Sequence, residues 1–236
     1  MPFYQGMRTG KHERKYGDNA AVGTTLETVW AAGALIPYAT SAGASSIVSG
    51  SGDDDKDAGT GARTVQVWGV GAAADGYPEL TEVAELEGQT PVDLDNEYLR
   101  INRLRVLTAG SGGTNAGAIS AKIGSDTVAY IAVGDNSTMQ LAYCVPAPTI
   151  LRADTNEILL THITLTPASL KVVTAELWVR PPGGTLALRD RYEVDSQLVL
   201  PIVPAIELET GTDIEIRAKV DSGEGRVSGS FGIVWV

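Results

Sequence analysis

Reactive side chains are scarce in this sequence. Its 236 residues hold one cysteine and two histidines. A single cysteine excludes an intrachain disulfide framework. Cys144 lies in TMQLAYCV (138–145), out of phase with Met139, Leu141, Tyr143 and Val145, and reads as a buried or half-buried structural thiol. His162 lies in LLTHITL, in phase with Ile158 and Leu160, while His12 belongs to the N-terminal segment. That separation predicts no histidine cluster within one subunit, so His162 is expected to be a strand histidine rather than a ligand. G-x-S-x-G, H-E-x-x-H and C-x-x-C are all missing. Aromatic residues make up 6%, thin for a sugar-binding platform. No run reaches the ~18 apolar residues of a membrane-spanning helix. KHERK followed by VWAAGALIPYA and SAGA imitates a signal peptide, but Pro37 and Thr40 interrupt it, and export by this route is not expected. Basic residues are the minority charge, 18 against 29 acidic, for a formal net charge of −11. A nucleic-acid-binding surface is usually basic, so that role is not expected.

What the sequence does have is alternation. In DIEIRAKV (213–220), Ile214, Ile216, Ala218 and Val220 share one face, and Asp213, Glu215, Arg217 and Lys219 share the other. This is the period-two pattern of a strand with one dry and one wet face. LETVW (26–30) and SIVS (46–49) are possible first strands. Further strands are predicted at 62–70, 79–86, 98–108, 118–123, 126–133, 138–145, 157–166, 170–179, 197–203, 205–209, 213–220 and 226–236. The 27 glycines supply the turns between them. No segment offers a convincing helix of three turns, so the expected fold is all-β: one antiparallel β-sandwich over 25–236 with core strands in 62–236. LKVVTAELWV and RVSGSFGIVWV are apolar on both faces. A second dry face needs a second cover, and a neighbouring subunit is a candidate.

Residues 1–24 show neither period and read as an extended N-terminal arm. An arm without its own hydrophobic pattern must find its contacts elsewhere. Phe3, Tyr4 and Tyr16 are expected apolar anchors, and Arg8, Lys11, Arg14 and Lys15 are expected to pair with acidic groups on an adjacent subunit.

Two motifs imitate ligand sites. VQVWGVGAAADG (65–76) carries G-x-G-x-x-A after a strand, but Asp75, Gly76, Tyr77 and Pro78 break the helix that a dinucleotide's pyrophosphate needs. GDDDKDAG (52–59) spaces Asp53, Asp55 and Asp57 like a calcium loop, yet has Ala58 and Thr64 where that loop wants Gly and Glu. It reads as a solvated acidic loop, with calcium the first choice if any metal binds. No cofactor is expected. Arg100, Arg103 and Arg105 have mixed phase, which suggests a bulge or a subunit contact, with ion pairs to carboxylates as their default role.

YLRINRLRVLTAGSGGTNAGAISAKI (98–123), STMQLAYCVPA (137–147) and TDIEIRAKVDSGEGRVSGSFGIVWV (212–236) resemble segments of structural proteins from tailed bacteriophages. The resemblance spans roughly 60–236, lies in strand texture and order, and carries no catalytic motif. It implies a jelly-roll-like sandwich that assembles with itself, a trimer being favoured, and with a major capsid protein or other virion proteins. The expected location is the virion, on the capsid's outer surface or on the tail or a fibre. It implies a non-enzymatic role as a head decoration (cement) protein, with a receptor-binding fibre tip or knob as the alternative. Because carboxylates are plentiful, a carbohydrate-active enzyme stands as a third reading.

Overall fold

The computed structural model of the chain describes residues 11–57, 59–147, 157–168 and 171–236. Apart from a 3-10 turn at Ala73–Asp75, every regular element there is a β-strand. All strand pairs are antiparallel. The chain divides into two compact units, one made of Met1–Val29 with Leu141–Val236, the other of Trp30–Gln140.

The first unit is a rolled ribbon. β1 (His12–Val22) pairs with β16 (Gly225–Trp235), and β10 (Ala142–Cys144) with β15 (Asp213–Val220). β11 (Ile158–Pro167) pairs with β14 (Leu198–Leu208), and β12 (Val173–Arg180) with β13 (Ala187–Val194). The first strand thus meets the last, the second meets the next to last, and so inward to the PPGG turn between β12 and β13. Two more pairings, β11 with β16 and β12 with β15, close the roll into the sheets β1-β16-β11-β14 and β10-β15-β12-β13. This is the order of an eight-stranded jelly roll. Its interior holds Leu160, Ile163, Leu177, Ile216 and Phe231, all but sealed from solvent. Burying each such side chain contributes about 1.5–3 kcal/mol.

The second unit is inserted into this jelly roll in sequence. β2 (Glu27–Thr28) pairs with β15 on the same edge that β10 uses further along. Between them the Val29 N–H donates to the Ile216 carbonyl at 3.0 Å, and the Leu141 N–H donates to the Val29 carbonyl at 2.9 Å. The exit and return points of the insertion are therefore hydrogen-bonded neighbours in one strand position. Close ends are what let a fold carry an inserted domain.

The inserted unit is a smaller sandwich. β3 (Ser45–Ser49), β6 (Val92–Asp93), β8 (Ile119–Ile123) and β9 (Asp126–Ile131) form one sheet in the order β6-β3-β8-β9. β4 (Ala62–Val70), β5 (Glu79–Glu85) and β7 (Arg100–Ala109) form the other, in the order β5-β4-β7. Ile47, Val67, Tyr98, Leu104 and Ile131 fill the space between.

The all-β antiparallel fold expected from the alternation is the fold observed, and unit one has the jelly-roll order. Two expectations need correction. The single sandwich over 25–236 is two sandwiches, because the period-two signal marks strands without saying which sheet they join. The arm over 1–24 is not an arm where it is described: His12–Val22 is the edge strand β1 of the chain's own sheet. Its inward residues are Lys15, Gly17 and Asn19, so it lacks the apolar alternation that reveals a strand. Shape replaces hydrophobicity there. Gly17 lies opposite Gly229, and a Cβ added at Gly17 would sit 2.5 Å from Leu141 Cγ, so Leu141 occupies the space that the glycines leave. Strand β13 also escaped the sequence reading, because seven of its eight residues are exposed or half-buried. The segments 197–203 and 205–209 merge into β14, which runs through Pro201 and Pro204 as an edge strand, where proline is tolerated.

Candidate functional site

The outer face of the β1-β16-β11-β14 sheet brings together residues that the sequence kept apart. The register aligns Arg14 of β1, Gly232 of β16 and His162 of β11 in one row, with His12 two residues along β1. Gly232 makes the row possible: a Cβ there would lie 2.2 Å from His162 Cε1, so the imidazole lies across a backbone without a side chain. Thr161 Oγ1 is 3.2 Å from His162 Nδ1. Arg14 donates to Ser230 Oγ at 3.4 Å and lies 5.1 Å from the centre of the Tyr16 ring. Burial first, then the charges of Arg14 and His12, lowers the pKa of His162 below the usual histidine value. The expectation that the two histidines cannot cluster is thereby corrected, since pairing of β1 with β16 carries His12 to the sheet that holds His162. Gly and Ser alternate in RVSGSFG, and that thinness of side chains was the one sequence signal of a close approach on this face.

The outer face of the jelly roll's other sheet is charged but closed. Glu215 is 0% exposed and Glu176 1%. Glu215 accepts from Arg217 at 2.9 Å and from the Thr28 hydroxyl. Glu176 accepts from Trp178 Nε1 and from Arg191 Nε, each at 2.8 Å, and the Arg217 guanidinium lies 4.5 Å from the Trp178 ring centre. Asp213 accepts from Arg180 Nε at 2.8 Å and from the Cys144 thiol. Burial outweighs those partners and raises the Asp213 carboxyl to about 6. Cys144 is buried as expected, its thiol pKa pushed up by burial and then by Asp213. The face expected to be wet, Asp213, Glu215, Arg217 and Lys219, is buried at its first two positions. Its alternation was legible, its burial was not. The pairs that cross strands, Arg180 with Asp213 and Arg191 with Glu176, favour one register, and removing either member strands the other.

In the inserted unit the acidic loop works differently from a calcium site. Asp54, between the residues with calcium-like spacing, is fully buried. Its carboxylate accepts from the backbone N–H groups of Ala62 at 2.6 Å, Ala116 at 2.8 Å and Gly117 at 2.8 Å, and from Ser49 Oγ at 2.5 Å. Among the described residues no group of three His, Cys, Asp or Glu could hold a metal ion. Glycines let the loops interlock around Asp54: a Cβ at Gly61 would lie 2.1 Å from its Oδ1, and one at Gly110 would lie 2.2 Å from the Gly59 carbonyl oxygen. The G-x-G-x-x-A segment leads only into the 3-10 turn Ala73–Asp75, and Gly69 serves the close approach of β7, since its Cβ would meet the Arg100 carbonyl oxygen at 2.2 Å. Arg100 is buried, donates to the Ala39 carbonyl at 2.8 Å and lies 4.9 Å from the Tyr38 ring centre. Arg103 lies 5.2 Å from the Trp68 ring centre, and both Arg103 and Arg105 are exposed. The mixed phase of these arginines reflects the register shift between Trp68 and Gly69.

Of the expected arm contacts, Phe3, Tyr4 and Arg8 lie outside the described residues. Lys11 sits 5.2 Å from the Trp235 ring centre and Lys15 sits 5.5 Å from that of Tyr143, both within their own unit. Arg14 and Tyr16 alone among the remaining four combine exposure with a place on the outer sheet face.

No protein-family model matches this sequence, and no curated protein matches it. Among solved structures, the infectious bursal disease virus VP2 subviral particle is similar at 10% identity over 98% of this chain and 73% of that one, with a TM-score of 0.23. The structure of the Gt strain of the same virus is similar at 10% identity over 95% and 72%, with a TM-score of 0.20. Scores of this size fall short of a shared fold.

Proposed function

We propose that this chain is a non-enzymatic structural protein of a bacteriophage virion, most simply a decoration protein that binds the outside of the capsid and strengthens the shell. The observation that carries this reading is the rolled order β1-β16-β11-β14 over β10-β15-β12-β13, an order shared by viral capsid and lectin domains. The fold by itself does not select a function. The resemblance of 98–123, 137–147 and 212–236 to phage structural proteins supports the viral choice. The filled interior supports a binding role, because Leu160, Leu177 and Phe231 occupy the space between the sheets where chemistry would need a cavity. The added strength would come from apolar area buried between subunits, repeated over many copies.

A fibre tip is the second reading, favoured by the exposed Arg103 and Arg105 beside Trp68 on the β5-β4-β7 face. Antibody labelling of purified particles separates the two. Label spread over the head at many copies is expected. Label confined to the tail tip would move the function to host contact, and a chain missing from purified particles would overturn both readings.

A further inference from the structure

The cationic cluster on the β1-β16-β11-β14 face is out of character with its chain. The formal net charge is −11, yet His12, Arg14 and His162 share this face. No ion pair among the described residues joins any of the three to a carboxylate. The other titratable groups on the face, by register, are Tyr16 and Asp18 on β1, Arg226 on β16, Glu207 on β14 and Glu157, which pairs with Val236 just before β11. Asp18 and Arg226 satisfy each other at 2.8 Å, and Glu207 sits in the row of His12, Val234 and Leu159 with Glu157 beyond it, so the Arg14–His162 row and the Tyr16–Thr164 row hold no carboxylate. Arg14 and His162 share a row without a counter-charge, a cost to the isolated chain when His162 is protonated, and an anionic partner removes it. On β14 the same face carries Val199 at 64% and Val203 at 86% exposure, apolar surface that also lacks a cover.

We propose that this face docks a second copy of the chain, taking a carboxylate from the acidic surface of that copy between Arg14 and His162 while Val199 and Val203 are covered beside it. The proposal rests on the assembly role above. Charge complementarity names the occupant: the chain as a whole carries a formal charge of −11, while the Arg14–His162 row carries no carboxylate. The contact is heterologous, the Arg14–His162 row of one copy against a carboxylate of another, and such contacts build rings where the rotation closes and open filaments where it does not. It is also pH-dependent. His162 is held toward its neutral form in the lone chain, and a docked carboxylate favours its charged form, so docking takes up protons as the pH falls.

Sedimentation equilibrium of the full chain, at about pH 7.5 and about pH 5.5 and at low and high salt, tests this. Association is expected to tighten by up to about a hundredfold across these two pH units, since uptake of one proton per contact gives tenfold per unit, and to weaken with salt. Arg14→Glu should weaken it at least tenfold at both pH values. His12→Gln with His162→Gln should keep the association at higher pH and remove the pH response, with circular dichroism confirming the fold. A wild-type chain that stays monomeric under all conditions, or an association unchanged in Arg14→Glu, overturns the proposal. So does an unaltered pH response in the histidine variant. Acetate is titrated in a parallel arm, read by the His162 ring resonances: saturable binding of acetate to a chain that stays monomeric would make the site one for small carboxylates and not for a second copy. Presence of the chain in purified particles is scored separately, so failure of the docking face and failure of the virion reading remain distinct.

Discussion

The two sandwiches of this chain are held by different means. In the jelly roll, seven of the eight strands run 8–11 residues, most with an apolar inner row, and β12 and β15 add an outer row of buried carboxylates, two of them ion-paired across strands. In the inserted unit most strands are shorter, and two glycine-rich loops, 50–61 and 110–118, close around a single buried carboxylate. One unit is organised from strand to strand, the other from loop to loop. The difference teaches where each is vulnerable, and also where each is free to vary, since the jelly roll leaves a whole outer face open at Arg14, Tyr16, Val199 and Val203.

Breaking the loop lock should have the largest effect. Asp54→Ala strands three backbone N–H groups and a hydroxyl, and should destabilise the inserted unit by about 5 kcal/mol at roughly 1–3 kcal/mol per unsatisfied group. Followed by hydrogen exchange, the loss is expected in Trp30–Gln140 while the jelly-roll amides stay protected. Equal loss in both units would remove the distinction. The matching lesion in the jelly roll is Glu215→Ala, which leaves Arg217 without its carboxylate and should cost about 3–5 kcal/mol, read by denaturant unfolding.

Smaller effects sharpen the contrast. Gly232→Ala drives a methyl into the His162 ring, and should cost about 1–3 kcal/mol as an overpacking change. It should also move the His162 titration, followed by proton resonance. The pH profile is specific to the jelly roll. The folded-state pKa of Asp213 is raised from 3.8 to about 6, so between those values the folded chain binds more protons than the unfolded one. Stability from this group is therefore present below about pH 4 and lost as the pH rises through 6, by an amount on the order of 1–3 kcal/mol. Asp213→Asn should flatten that slope relative to the wild-type chain in unfolding curves taken across the window. Val203→Ser should change stability by less than ~0.5 kcal/mol, because an exposed side chain has little to lose in the isolated chain.

Legibility in the sequence follows the same division. Strands such as 213–220 and 62–70 announced themselves because an apolar row alternates with a polar one. β1 did not, because Lys15, Gly17 and Asn19 face inward and shape does the packing. The insertion was invisible because strand pairing between β2, β10 and β15 is a long-range fact with no local signature. The acidic loop was noticed at the wrong residues: spacing pointed to Asp53, Asp55 and Asp57, while the buried partner is Asp54, fixed by backbone groups about 60 residues away in sequence. The cationic face required β1 to be recognised first, so His12 and Arg14 could not be placed beside His162.

Hydrogen exchange measured on the free chain and again on the chain within purified particles tests the central claim most directly. If the chain is a virion component that docks through the jelly roll's open face, the amides of β1 and β14 slow in the particle, and those of the Asp54 loops exchange alike in both states. A chain that cannot be found in particles, or one whose β1 and β14 exchange as fast there as in isolation, would contradict the account.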